Sequence, residues 1–274
     1  MARQKGISSM TKKTKVYDQI IEAIFFAHFK SGLKTFEFDR EEIGDTATSL
    51  GLDAPKNPGD VVYSFRYREP LPETIRVTEP AGLEWIIKGV SKGMYAFQLA
   101  KPFDPTPNDK MAETKILDAT PGIISKYALD DEQALLAKIR YNRLVDIFTG
   151  LTCYSLQNHW RSTNAEGVQG ETDEVYVGVD KRGVHFVLPV QAKGGDERLG
   201  VVQISQDFVL CRENFPDAIC KSIGAQFLDE NLIVMFEFEL DGDEVKIVTE
   251  KHYKLVNSGQ LTQAELSQYR IRIE

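Results

Sequence analysis

At 274 residues, with 42% hydrophobic and 27% charged side chains, the chain has the balance of a folded globular protein, long enough for one large domain or two modest ones. No apolar run approaches the ~20 residues that a membrane-spanning helix needs. A net charge of −8 argues against a uniformly basic coat for nucleic acid.

The charge is unevenly placed. Residues 1–110 hold 16 basic and 15 acidic side chains, whereas the other 164 hold 17 and 26. An acidic second half suits a solvated surface, and equally a domain that uses carboxylates on a divalent cation. Cys153, Cys211 and Cys220 are odd in number and widely spaced, so neither a disulfide framework nor a structural zinc site is expected. MARQKGISSMTKKTK carries five positive charges and no apolar segment of the kind a secretion signal requires, and a cytoplasmic location is the expectation.

In chain order, residues 1–15 read as a basic arm, either tracking phosphates or simply solvated. VYDQIIEAIFFAHF (Val16 to Phe29) reads as an apolar helix, and Arg40 to Leu50 as a second one stopped by Gly51. In PKNPGDVVYSFRYR, Asn57 is placed to cap a third helix with Pro58 at its first position. Val61, Val62 and Phe65 form its apolar side, leaving Ser64, Tyr67 and Arg68 outward and Arg66 near the edge. Two strand-like runs, Trp85 to Ile87 and Met94 to Leu99, flank a turn bearing Lys92. The order of these elements over residues 16–101 resembles a winged helix-turn-helix domain. That resemblance implies DNA contacts from the helix after Asn57 (Asn57, Ser64, Arg66, Tyr67, Arg68) and from Lys92 at the wing; a protein-docking module is the alternative.

Pro102, Pro105 and Pro107 interrupt any regular element, so residues 102–121 are assigned to a linker and 122–274 to a second domain. There the pattern predicts one helix from Asp131 to Thr149, strands at Thr152 to Ser162, Glu171 to Asp180 and Val184 to Lys193, then a helix from Leu199 to Glu213. QFLDENLIVMFEFEL and VKIVTEKHYKLV read as further strands. The order is α-β-β-β-α-β.

DKRGV offers a three-residue hairpin loop with Gly183 where positive φ is needed, so paired residue numbers in the second and third strands should sum to 364. Asp173 then lies opposite Gln191 and Glu171 opposite Lys193, and strand alternation puts all four on one face. Val184, Phe186, Leu188, Val190 and Ala192 form the core face. Ionisable groups clustered at the end of an apolar sheet need partners or a metal. A magnesium ion is the expected occupant, with Lys193 orienting or deprotonating a water and stabilising an anionic transition state.

These residues resemble the PD-(D/E)XK nuclease superfamily. Asp173 matches its first acid, and Gln191-Ala192-Lys193, 18 residues on, matches the Q-x-K form of its second motif, similar to Mrr-type restriction nucleases. The usual proline before the first acid is absent, and Pro189 falls inside the third strand. The resemblance implies an α/β restriction-endonuclease-like core with a mixed central sheet, in which Asp173, Gln191 and the Ala192 carbonyl hold Mg2+. Products would carry 5′-phosphate and 3′-hydroxyl ends.

Glutamine brings no charge, so a second carboxylate is expected. Glu171 is the first candidate, and Asp146, on a helical stripe with Lys138 and Asn142, is the second. Gln157, His159 and Arg161 alternate along one strand face and are placed to look toward the site or DNA. Gln203 and Gln206 resemble a glutamine that some family members carry on the following helix.

The expected activity is hydrolysis of double-stranded DNA, as a sequence-specific type II restriction endonuclease acting as a homodimer. Two alternatives stand beside it: a non-catalytic winged-helix regulator, and a repair or structure-specific nuclease of the same fold.

Overall fold

The structure, a computed structural model, describes residues 2–127, 132–194, 197–229 and 231–271, with side chains from residue 15 onward. It is mixed α/β and divides into two compact units. The first is Met1–Phe103 with Thr163–Gln169, and the second is Asp104–Ser162 with Gly170–Glu274.

The first unit contains α1 (Ala2–His28), β1 (Thr35–Asp39), α2 (Glu42–Ser49), α3 (Gly59–Tyr67), α4 (Glu73–Arg76), β2 (Glu84–Ser91) and β3 (Met94–Ala100). Residues read as a basic arm are helical from Ala2, and the side chains of residues 1–14 lie outside the described residues. β1 is a strand that the periodicity missed, because TFEFD is too short to show alternation clearly. It completes a small antiparallel sheet in the order β1-β3-β2.

Aromatic rings hold this unit together. Phe25 on α1 lies 5.3 Å from Phe36, 5.4 Å from Trp85 and 5.0 Å from Phe97 between ring centroids, all edge-to-face. Such pairs add ~0.5–1.5 kcal/mol each beyond the area they bury. α3 buries Val61, Val62 and Phe65, the side that its spacing predicts. Its start is held by Asn57, whose Oδ1 accepts from Gly59 N at 3.2 Å and whose Nδ2 donates to Asp60 at 2.8 Å.

The second unit contains β4 (Glu113–Leu117), α5 (Gly122–Tyr127), α6 (Glu132–Tyr141), α7 (Leu144–Thr149), β5 (Thr152–Thr163), β6 (Gln169–Val179) and β7 (His185–Lys193). It continues with α8 (Val201–Asn214), β8 (Ile219–Cys220), β9 (Ser222–Phe227), β10 (Leu232–Asp241), β11 (Glu244–Val256) and α9 (Gln263–Ile271). The strands form one mixed sheet in the order β4-β11-β10-β9-β7-β6-β5, with β8 also beside β7.

Three expectations are corrected here. Residues 102–121 are not all linker, since β4 pairs in parallel with β11 at the sheet edge. The helix expected up to Thr149 is broken at Arg143, which takes φ +50, a left-handed conformation that no continuous helix of L-residues accommodates. QFLDENLIVMFEFEL is divided between β9 and β10 by a turn in which Asp229 Oδ1 accepts from Asn231 N and Leu232 N. Asp131, the expected helix start, lies outside the described residues.

α6 and α7 cover one face of the sheet, packing on Tyr176, Phe186, Leu188, Val190 and Ala192. α8 covers the other through Leu210 and Cys211, against Val175 and Val187. Burial on both faces explains the unbroken apolar run from Phe186 to Val190 in β7. α8 is also the crossover that lets β7 and β9 run parallel.

Close packing beside this crossover is felt at Gly224 on β9. A Cβ there would stand 2.5 Å from Leu199 Cδ1 and 2.8 Å from Phe238 Cε2. Gly224→Ala is expected to destabilise the protein by ~1–3 kcal/mol, read as a lower urea midpoint. An unchanged midpoint would show that these two side chains yield without cost.

Candidate active site

The β6–β7 hairpin turns as its sequence predicts. Gly183 has φ +83 and donates to Asp180 O at 3.0 Å, while Asp180 N donates to Val184 O at 3.2 Å. Pairs from Val179↔His185 to Glu174↔Val190 all sum to 364. Pro189 causes no slip. On its other side β7 pairs with β8 up to Val187 and with β9 from Val190, so the missing proline donor falls at the break between them.

The irregularity comes instead at Asp173. The described pairs end at Glu174, and Asp173 Oδ2 takes the N–H of Ala192 at 2.8 Å. Thr172 Oγ1 donates to Asp207 on α8. Glu174, only two residues on, accepts from Arg140 Nε on α6 at 3.0 Å. In a regular strand residues 172 and 174 share a face; here they meet helices on opposite faces. The expected single-face arrangement of Glu171, Asp173, Gln191 and Lys193 is therefore corrected.

What the hairpin end does bring together is Asp173, Lys193 and Glu132. Lys193 is 8% exposed, and its Nζ donates to Glu132 Oε1 at 2.7 Å, with Glu197 Oε2 at 3.6 Å. Burial would lower the lysine pKa, but the hydrogen bond and charge of Glu132, with Asp173 and Glu197, outweigh it and hold the pKa above its usual value. Lys193 is thus an ammonium, suited to stabilising negative charge. The expected role as a base that deprotonates water is not favoured by this arrangement. Burial raises the pKa of Asp173, as does the charge of Glu132, while the Ala192 N–H and the charge of Lys193 oppose the rise.

Gln191 is 1% exposed and faces α8. Its Nε2 donates to the Glu171 carbonyl at 3.2 Å and to both oxygens of Asp207 at 3.2 and 3.1 Å. Its Oε1 is buried and accepts no hydrogen bond from any described residue. Asp207 is itself 1% exposed, and burial pushes its pKa up to about 7 against the hydrogen bonds of Thr172 and Gln191.

Neither expected second carboxylate joins this group. Glu171 is exposed and pairs with Arg161 Nε at 3.1 Å and His159 Nδ1 at 3.5 Å, because the irregular strand turns it away from Asp173. Asp146 lies past the helix break, where its Oδ1 accepts from Cys153 N at 2.9 Å and pairs with Arg143. The acid that the preceding helix supplies is Glu132, in the first turn of α6. Sequence reasoning passed over it because Glu132 opens an ordinary amphipathic pattern and Lys193 is 61 positions away. Asn142 also leaves the expected stripe, being buried and bonded to Asp118 and Thr120.

His159 has φ +47, which costs a non-glycine residue roughly 1–2 kcal/mol. This interrupts the alternation on which Gln157, His159 and Arg161 were grouped. His159 Nε2 stands 3.2 Å from Gln133 Nε2, next to Glu132. Arg161 turns to Glu171, and Gln157 is exposed. Gln203 has a buried Oε1 that accepts no hydrogen bond from any described residue.

Among the described residues no group of three or more His, Cys, Asp and Glu side chains is placed to hold a metal. Magnesium rarely requires one, since it takes one or two carboxylates and completes its shell with waters and substrate phosphates. The oxygens of Asp173, Glu132, the Gln191 amide and the Ala192 carbonyl are of the hard type such an ion takes, and the Gln191 oxygen has no donor among the described residues. A buried acceptor left without a donor costs ~1–3 kcal/mol, and a hard cation would relieve that cost.

In the first unit, α3 presents a second group. The rings of Tyr63 and Tyr67 lie 4.9 Å apart, with the Arg66 guanidinium 4.8 Å from the Tyr67 ring and that of Arg68 5.0 Å from the Tyr63 ring. Tyr63, 46% exposed, was not singled out from sequence, although its i, i+4 relation to Tyr67 was visible. Asn57 is committed to holding the helix start and to Arg40 Nη2 at 3.0 Å, and Ser64 is half-buried. Lys92 keeps an exposed side chain, but its N–H donates to Glu166 O at 3.1 Å, so the segment Thr163–Gln169 packs beside the hairpin tip.

No helix among the described residues is long and apolar enough to cross a membrane. Comparison with family models, curated proteins and solved structures found no match to this chain.

Proposed function

We propose that the protein is a metal-dependent endodeoxyribonuclease, with a winged-helix unit that binds duplex DNA and a PD-(D/E)XK-like unit that cuts it. The observation that carries this reading is the convergence of Asp173, Lys193 and Glu132 at the open end of the β6–β7 hairpin. It is supported by the element order α6/α7-β5-β6-β7-α8-β8-β9, with β7 parallel to β8 and β9. In the first unit, the order of elements and the β1-β3-β2 sheet support the winged-helix reading.

Asp173, Glu132, Gln191 and the Ala192 carbonyl would hold Mg2+. Bound there, the ion would supply Lewis-acid polarisation of a phosphate oxygen and a lowered pKa for water. Lys193, kept charged by its carboxylate neighbours, stabilises the negative charge that builds on the phosphoryl oxygens. Glu132 anchors that ammonium. A sequence-specific restriction endonuclease acting as a homodimer is the biological role this chemistry suits, since two copies are needed to cut both strands of a palindromic site.

Incubation with several methylated and unmethylated DNAs, with Mg2+ or EDTA, tests the reading. Discrete Mg2+-dependent fragments are expected. Binding of duplex without any cleavage would favour the regulator, and cleavage confined to RNA or junctions would change the substrate.

The Tyr63, Arg66, Tyr67 and Arg68 face of α3 is the proposed DNA contact. Arg68→Ala is expected to weaken duplex binding several-fold across sequences and to reduce the slope of log affinity against log salt by about 1, measured by fluorescence anisotropy. An unchanged slope would place the phosphate contacts elsewhere.

A further inference from the structure

Asp207 is a buried carboxylate that the chemistry above does not use. It lies in the middle of α8 and is reached by Thr172 Oγ1 at 2.5 Å and by Gln191 Nε2 at 3.2 and 3.1 Å to its two oxygens. The same Nε2 reaches the Glu171 carbonyl at 3.2 Å. An ionised carboxylate and a peptide carbonyl are both acceptors only, so the amide of Gln191 must turn its NH2 toward them. Its oxygen then faces away from both, and it is this atom that finds no donor among the described residues.

We infer that Asp207 is a positioning residue, which fixes the Gln191 carboxamide with its oxygen presented to the metal site and carries, one layer behind, the negative charge that an acid at position 191 would bring. This rests on reading Asp173, Gln191 and Lys193 as a metal centre. It also explains why position 191 is not an acid. Glutamate there would set a second carboxylate within hydrogen-bond distance of Asp207, where almost no water can screen the pair. The glutamine and the aspartate are therefore a matched pair.

The test uses four proteins at pH 8: wild type, Gln191→Glu, Asp207→Asn and the double variant. In melts without metal, Gln191→Glu should lower Tm by several degrees, and adding Asp207→Asn should recover part of that loss. The recovery is partial because the Glu171 carbonyl loses its donor in both. In calorimetric titration with Mg2+ alone, Asp207→Asn should bind ~10-fold more weakly or worse, as is usual when a partner of a metal ligand is removed. The double variant, with its charge moved to position 191, should bind more tightly than Asp207→Asn.

Additive Tm changes would overturn the pairing. Coupled Tm changes with unaltered Mg2+ affinity in Asp207→Asn would overturn the positioning role. A wild type that binds no Mg2+ would refute the metal centre, and the positioning role with it, while the melting cycle would still decide whether Asp207 and Gln191 are a matched pair.

Discussion

Lys193→Ala is expected to lower Mg2+-dependent DNA cleavage by about 10²–10³-fold, the scale seen when a group that stabilises transition-state charge is removed. The ammonium sits at the hairpin end, 2.7 Å from Glu132 and within the field of Asp173, and its neighbours keep it charged. Alanine leaves Glu132 without its cation, so some stability will be lost as well. Asp173→Asn is the second arm, because it keeps the shape and the Ala192 hydrogen bond while removing the charge. Both variants should still bind duplex DNA, since the proposed contacts lie on α3. Cleavage rates on supercoiled plasmid, with melting curves on the same samples, check this. Cleavage persisting in both variants at matched stability would remove these residues from the mechanism.

The second large effect is on stability against pH. Asp207 has an ordinary carboxyl pKa of 3.8, raised to about 7 in the folded protein, first by burial and then by the charge of Asp173. The folded state therefore keeps a proton between pH 4 and 7 that the unfolded chain has released. Stability from this group is fully present below about pH 4 and is lost as pH rises toward 7, with a slope of at most ~1.4 kcal/mol per unit. Asp173, also raised, acts in the same direction. Urea midpoints in EDTA should fall between pH 5 and pH 8, and Asp207→Asn should flatten that fall. Equal midpoints for wild type at the two pH values would mean that Asp207 is ionised throughout.

Much of the architecture was legible because it is locally encoded. Period-two alternation and the DKRGV turn set the β6–β7 register, and Pro189 does not disturb it because its missing donor falls between β8 and β9. The apolar side of α3 followed from the spacing of Val61, Val62 and Phe65. The strands β1 and β4 were not legible. Each is five residues long and is a strand because a partner, β3 or β11, supplies the ladder.

The amino-acid sequence by itself determined the run of strands and helix from β5 through α8, the hairpin that brings Asp173 near Ala192 and Lys193, and the apolar face of β7. Only the tertiary structure decided which side chains meet there. Strict alternation put Glu171 beside Lys193, whereas the irregularity at Thr172 and Asp173 sends Glu171 to Arg161 and admits Glu132, 61 positions from the lysine. Asp207 was likewise beyond reach of the pattern, because an aspartate within an amphipathic helix reads as a solvated residue until a strand glutamine is packed against it. Pairings of this kind depend on how helices lie across a sheet, and local spacing carries no record of that.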